Sequence, residues 1–251
     1  MPQTDSQPLA GQTVLITGGA RRLGAAMAQA LHAVGANVVI HHLSSTQDAV
    51  ALVGALNATR ESSAIALQAD LLDTARLPQL IEATLERFGR LDILINNAST
   101  FYATPLGDIT SGQFDDLIGT NFRAPLFLAQ AAAAELRRRR GLILNMVDIH
   151  GMKPLKRYPA YSSAKAALIM LTRSLARELA PDVRVNGIAP GPVMVPADID
   201  AALEAEIIGK TLLKRAGEPQ DIGRAALYFA TLAPYVTGQI LAVDGGRSQA
   251  S

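Results

Sequence analysis

The sequence predicts a doubly wound parallel α/β fold in one domain, with seven strands in the order 3-2-1-4-5-6-7 and helices on both faces. Three observations predict it. Short apolar runs alternate with longer helical patterns along most of the chain. A glycine-rich turn follows the first run. The length, 251 residues, suits one large domain, and the early glycine turn favours an open sheet over a closed barrel.

The strands are read at 13–17 (TVLIT), 37–41 (NVVIH), 64–68 (AIALQ), 91–96 (LDILIN), 141–147 (GLILNMV), 183–189 (VRVNGIA) and 239–244 (QILAVD). Several carry apolar residues at consecutive positions, as strands covered on both faces require. Helical patterns span 22–34, 46–60, 74–88, 113–139, 160–180 and 219–232, the fourth with a break expected near Pro125. Right-handed crossovers then bring ligands to the C-terminal strand ends. Segment 191–217 holds Pro192 and Pro196 before a short helical pattern, and is expected to form a substrate lid. Residues 1–10 are polar and contain proline, and are expected to be flexible. The folded domain is accordingly 11–251.

Composition narrows the function. Hydrophobic residues make up 49% of the chain, so general disorder is excluded. Lys+Arg number 23 against 22 Asp+Glu, a balance that offers no basic face to nucleic acid. The run Arg137 to Arg140 ends an Ala-rich helix, where cations complement the dipole. With no cysteine there is no disulfide, thiolate nucleophile or Cys-built zinc site, and no bound metal is expected. No apolar run reaches the roughly 18 residues of a membrane helix. The opening MPQTDSQPLAG lacks the basic and apolar regions of a signal peptide, so a soluble cytoplasmic chain is expected.

The glycine turn reads Thr17-Gly18-Gly19-Ala20-Arg21-Arg22-Leu23-Gly24 and opens a helix. Glycines there let backbone N–H groups approach a pyrophosphate, and the helix start adds partial positive charge. About 20 residues further on, where an NAD site usually has an acid for the ribose hydroxyl, the sequence is His41-His42-Leu43-Ser44-Ser45. Arg21 or Arg22, with the Ser44 and Ser45 hydroxyls, suits a 2′-phosphate instead, so NADPH/NADP is the expected cofactor. His41 either touches that phosphate or ends the strand.

Four more segments carry chemistry. Asp70-Leu71 follows the third strand; Asp70 is either a ligand contact or a helix cap. Asn96-Asn97-Ala98-Ser99 ends the fourth strand. Tyr161 and Lys165 stand four apart, on one face of a helix. An ammonium beside a phenol is expected to lower the phenol pKa from its reference near 10, giving a proton donor for carbonyl or imine reduction. Asn121 lies in the order Thr120-Asn121-Phe122.

Taken in order, these motifs resemble the short-chain dehydrogenase/reductase family, whose fold is of Rossmann type. The match runs from Thr13 to Gly246 and includes Pro190-Gly191 and Val243-Asp244-Gly245-Gly246. Arg22 replaces the middle glycine of the family's TGxxxGxG, and Val193 stands where a polar residue often follows Pro-Gly. The resemblance implies that Asp70 binds the adenine edge, and that Gly18, Arg21, Arg22, Leu23, Gly24, Leu71, Asn97, Ala98, Ser99, Met146, Pro190, Gly191 and Val193 contact cofactor. It implies that Lys165 bonds the nicotinamide ribose with Tyr161 beside it, and that Asn121 supports a proton relay. It also implies a homotetramer.

One departure narrows the substrate. The family usually has Ser thirteen positions before the Tyr; here that position is Asp148. A carboxylate would repel the oxyanion of a reduced ketone, but beside a pterin it can deliver a proton to ring nitrogen with Tyr161. The runs Asn96 to Tyr102 and Asn145 to Asp148 look like pteridine reductases. That likeness makes Phe101 a stacking platform for a flat ring, Ser99 a pterin contact and Arg22 a contact to both phosphate and substrate. The expected activity is NADPH-dependent reduction of dihydropterin or dihydrofolate. A ketone or 3-oxoacyl reductase is the first alternative, and a non-catalytic NADP-binding sensor the second.

Overall fold

The computed structural model describes residues 7–193 and 200–250. Its sheet is parallel throughout, in the order β3-β2-β1-β4-β5-β6-β7, as expected from the sequence. The strands are β1 (Thr13–Ile16), β2 (Asn37–His42), β3 (Ala64–Gln68), β4 (Ile93–Asn96), β5 (Leu142–Met146), β6 (Arg184–Pro190) and β7 (Ile240–Val243). The helices are α1 (Arg22–Ala33), α2 (Thr46–Thr59), α3 (Leu77–Phe88), α4 (Ser111–Ile118), α5 (Ala124–Arg139), α6 (Pro159–Leu179), α7 (Ala201–Gly209) and α8 (Pro219–Leu227).

Consecutive apolar residues feed two cores. Val14 and Ile16 join one core with Met27, Leu31 and Ile222, while Leu15 points into the other with Leu80, Leu94 and Leu128. The alternation follows from the period of two along a strand. It leaves the polar residues at the strand ends, where Thr17, His41, Asn96 and Asn145 gather at the C-terminal edge.

Three helical stretches differ from expectation. Residues 113–139 divide, but not at Pro125. A capping box between Thr110 and Gln113 starts α4, a wide π turn follows at Gly119–Arg123, and Pro125 sits in the first turn of α5. Proline lacks a donor that a first turn does not use, so it is accommodated there. Residues 74–88 begin with a 3-10 turn, Thr74–Arg76, before α3, and 219–232 closes with a second π turn, Tyr228–Leu232.

Of the expected lid, residues 194–199 lie outside the described residues, and α7 follows them. A parallel bridge between Val193 and Gly217 closes the base of this segment. Of the flexible N-terminus expected over 1–10, residues 1–6 also lie outside the description. Leu9 corrects the rest: it is 1% exposed within the α1 core, and its N–H donates to Val34 O at 3.0 Å. A single leucine between Pro8 and Ala10 carries no periodic signal, so its burial was not legible.

Leu9→Ala is expected to destabilise the protein by about 2–4 kcal/mol, through lost transfer energy and the cavity left behind. Urea unfolding checks this; an unchanged midpoint would show the segment to be loosely held.

Candidate active site

The glycine loop is tied to the start of the segment after β4. Thr17 Oγ1 accepts from the N–H groups of Asn97 (2.9 Å) and Ala98 (3.0 Å), and Asn97 Nδ2 donates to Thr17 O (2.9 Å) and Gly18 O (3.0 Å). Gly18 is left-handed at φ +59, and a Cβ there would stand 3.0 Å from Ala98 Cα. At Gly24 a Cβ would meet Asn97 Nδ2 at 2.8 Å, so the first turn of α1 needs glycine to pack on the knot. No side chain caps α1 and its first turn holds no acid, which leaves a helix start suited to an anion. Arg22 takes φ +52, the left-handed region, at the position where the family pattern has glycine.

A cavity of about 430 Å³ opens over this loop. Many of the expected contacts line it, in three groups: Gly18 and Arg21 to Gly24 from the loop; His41, Ser44 and Ser45 from the end of β2; Asp70, Leu71 and Asn97 to Ser99 from the next two strand ends; Met146, Tyr161, Lys165, Pro190 and Gly191 lie outside its walls. The walls also include Asp116 and Thr120, which sequence reasoning did not single out. Val193 departs from expectation. It is buried, bridged to Gly217, and lines a different cavity of about 410 Å³. Its apolar side chain is used in packing.

At the phosphate end, Asp48, in the first turn of α2, lies 3.8 Å from the Arg21 guanidinium, with both side chains largely exposed. Such a pair is weak and readily exchanged. His41 has no ring nitrogen left for a phosphate. Gly18 N–H donates to its Nδ1 at 3.1 Å, and Nε2 pairs with Ala69 O at 3.1 Å. Burial pushes the His41 pKa down to about 4.

The reactive groups meet where β4, β5 and α6 converge. A buried amide ladder joins them: Asn96 Nδ2 donates to Asn145 Oδ1 (2.8 Å), and Asn145 Nδ2 to Thr172 Oγ1 (2.9 Å). Tyr161 Oη donates to Asp148 Oδ2 at 2.7 Å. The other Asp148 oxygen accepts His150 N–H at 2.7 Å and starts the 3-10 turn Ile149–Gly151, so the carboxylate is fixed at both atoms. Lys165 is buried; its Nζ donates to Met146 O at 2.8 Å and lies 5.6 Å from the Tyr161 ring centroid.

Tyr161 and Lys165 therefore share a face as the spacing implies, but the expected electrostatics are reversed. Burial and the Asp148 carboxylate raise the Tyr161 pKa well above that of an ordinary tyrosine, weakly opposed by a hydrogen bond with Ser99. The carboxylate meets the hydroxyl while the ammonium meets only the ring face and a carbonyl. Tyr161 is thus held protonated, as a donor. Desolvation lowers Lys165 to about 8, partly countered by Asp148.

Asn121 sits in the π turn, which widens the helix and brings its amide to the segment after β4. Its Nδ2 donates to Leu117 O and Thr100 O, both at 3.0 Å, and its Oδ1 accepts from Ser99 Oγ at 2.6 Å. Phe101 is 54% exposed, packs edge-to-face on Tyr161 (4.8 Å, 75°) and stacks on Tyr158 (4.7 Å, 12°). Tyr102 Oη donates to Asp116 Oδ2 at 2.8 Å and so steadies the segment that carries Ser99 and Phe101. Pro190 and Gly191 end β6, and a Cβ on Gly191 would collide with Asp244 after β7.

The loop, the amide ladder and the Tyr161–Lys165 pair together define a nucleotide-dependent oxidoreductase site at the C-terminal edge of a doubly wound sheet. The chain belongs to the short-chain dehydrogenase/reductase family: a family model described as enoyl-(acyl carrier protein) reductase matches residues 18–248. It is 38% identical to pteridine reductase 1 of Leishmania tarentolae, over 93% of this chain and 95% of that protein. It is 36% identical to a 3-oxoacyl-[acyl-carrier-protein] reductase of Synechocystis sp., over 95% of this chain and 97% of that one. A blue fluorescent protein from a metagenomic library, solved in complex with NADPH, superposes with a TM-score of 0.90 at 35% identity, covering 96% of this chain and 99% of its own. Among the described residues no helix is long and apolar enough to cross a membrane, and no group of three or more metal-binding side chains occurs.

The buried ammonium has a signed consequence. A folded pKa of about 8 against 10.5 for an exposed lysine means that the unfolded chain binds this proton more tightly. The contribution of Lys165 to stability therefore rises with pH between these values and is lost below them. An NMR titration of Lys165 Nζ is expected to give a midpoint of about 8; a midpoint like that of the exposed lysines would contradict the burial argument.

Proposed function

We propose that the protein is an NADPH-dependent pteridine reductase, acting on dihydropterin or dihydrofolate. The observation that carries this reading is the Tyr161–Asp148 hydrogen bond of 2.7 Å beside the exposed ring of Phe101. The 38% identity to a pteridine reductase supports it.

The cavity residues fit a dinucleotide. The uncapped start of α1, from Arg22 to Gly24, takes the pyrophosphate, with Gly18 allowing its close approach, while Asp70 and Leu71 flank the adenine. Arg22, Ser44 and Ser45 take the 2′-phosphate, and Arg21 joins them by exchanging Asp48 for a more highly charged partner. Asn97, Ala98, Met146, Pro190 and Gly191 bound the nicotinamide end, and Lys165 holds its ribose. The cofactor, when bound, supplies hydride to a ring carbon of the pterin.

The chain's own residues manage the proton. Reduction of the C=N bond requires one proton at the ring nitrogen next to the carbon that receives hydride. Tyr161 presents a protonated Oη, and Asp148 fixes the direction of that hydroxyl; the pair delivers the proton together. Ser99 and Asn121 continue the polar line from Tyr161 toward Thr100 O, and Asn121 supports the relay through which solvent returns a proton to Tyr161. Phe101 offers one face to the flat ring, its other neighbour being Tyr158, and Arg22 and Ser99 supply polar contacts at the ring edge.

The relatives named 3-oxoacyl reductase favour a second reading, reduction of a carbonyl on an acyl chain. Asp148 weighs against it, since a fixed carboxylate next to the proton donor repels a developing oxyanion. The proposed assembly is a homotetramer, supported by the exposed apolar side chains Tyr228, Leu232, Tyr235 and Leu241 on and near β7.

NADPH oxidation is to be followed with dihydrobiopterin, dihydrofolate and a 3-oxoacyl thioester. Pterin turnover is expected, with Asp148→Ser lowering kcat/KM for pterins by about 10²-fold or more. Turnover of the thioester with none of either pterin would assign the second reading.

A further inference from the structure

His41 is among the most buried polar side chains of the chain, at the end of β2. Its two ring nitrogens have different partners, and those partners fix its proton. Gly18 N–H can only donate, so Nδ1 accepts; Ala69 O can only accept, so Nε2 carries the hydrogen. The ring is thus neutral in one tautomer, and a second proton would cost the Gly18 bond. The His41 main chain adds a third tie, accepting Gly19 N–H at 2.9 Å.

These contacts join the two walls of the dinucleotide cavity. Gly18 and Gly19 begin the phosphate loop, with Gly18 in the left-handed region at φ +59. Ala69 immediately precedes Asp70 and Leu71, which line the opposite wall. We infer that His41 is a positioning residue: its neutral imidazole clamps the glycine loop to the loop after β3, and so sets the strength of dinucleotide binding without touching the phosphates. The inference rests on the dinucleotide site proposed above. Phosphate-binding N–H groups must point into the cavity together; His41 satisfies the Gly18 and Gly19 N–H groups within the protein and so fixes the loop that leads into the uncapped start of α1, whose N–H groups are left for the phosphates. With an apolar side chain in its place, the part-buried Gly18 N–H loses its partner and the loop relaxes to find one.

The two bonds can be removed separately. Asparagine places an acceptor where Nδ1 stands and falls short of Ala69; glutamine reaches toward Ala69 and gives Gly18 nothing. NADPH dissociation constants are measured by the fluorescence of the bound cofactor for the wild type, His41→Leu, His41→Asn and His41→Gln, with kcat at saturating NADPH. Loss of the Gly18 bond in His41→Leu is expected to weaken NADPH binding about tenfold, with kcat within about twofold of wild type. His41→Asn is expected to recover most of the affinity and His41→Gln little of it. Should the leucine variant fail to fold, the asparagine–glutamine comparison carries the test. Equal affinity in these two variants, wild-type affinity in the leucine variant, or a fall in kcat at unchanged affinity would each overturn the clamp. A wild-type protein that binds no NADPH would overturn the dinucleotide site and the clamp together, whereas tight wild-type binding with insensitive variants would overturn the clamp alone.

Discussion

Seven parallel strands covered on both faces leave polar side chains few places to go. Val14, Leu15 and Ile16 each bury completely, into two cores on opposite sides of the sheet. Hydroxyls, amides and imidazoles therefore collect where the strands end, and in a parallel sheet all C-terminal ends share one edge. Thr17, His41, Asn96 and Asn145 stand at four such ends. Unsatisfied there, each would cost free energy; paired with one another, they become the frame of the site.

The frame has two knots. One is Thr17 with Asn97, which draws the glycine loop against the segment after β4 and leaves room for glycine alone at Gly18 and Gly24. The other is the amide ladder from Asn96 through Asn145 to Thr172, which seats α6 on the sheet. Tyr161 and Lys165 ride on that helix, and Asp148 follows the strand that holds the middle of the ladder. The 2.7 Å contact between phenol and carboxylate is thus set by buried partners on both sides.

Much of this was legible in the sequence. Strand positions to within a residue or two, the glycine loop and the shared face of Tyr161 and Lys165 follow from period and spacing, which are local properties of the chain, and the sheet order follows from the fold class that the strand–helix alternation implies. What was not legible depends on distant partners. Asp48 reaches Arg21 from the next helix, and Asp116 reaches Tyr102 from α4. The stack of Tyr158 on Phe101 joins segments far apart in the chain. The π turn at Asn121 leaves no mark in apolar spacing, since a single wide turn shifts the pattern by one residue only. The sign of the Tyr161 shift failed for the same reason: Lys165, one helical turn on, is not the charge that meets the hydroxyl.

Tyr161 is the proton donor of the proposed reaction. Single-turnover reduction of dihydrobiopterin by the Tyr161→Phe variant, at saturating NADPH, tests it most directly. The rate is expected to fall by roughly 10² to 10⁴-fold with NADPH affinity unchanged, because a ring that fills the same space has lost only its hydroxyl. A phenylalanine variant that turns over at the wild-type rate would contradict the assignment.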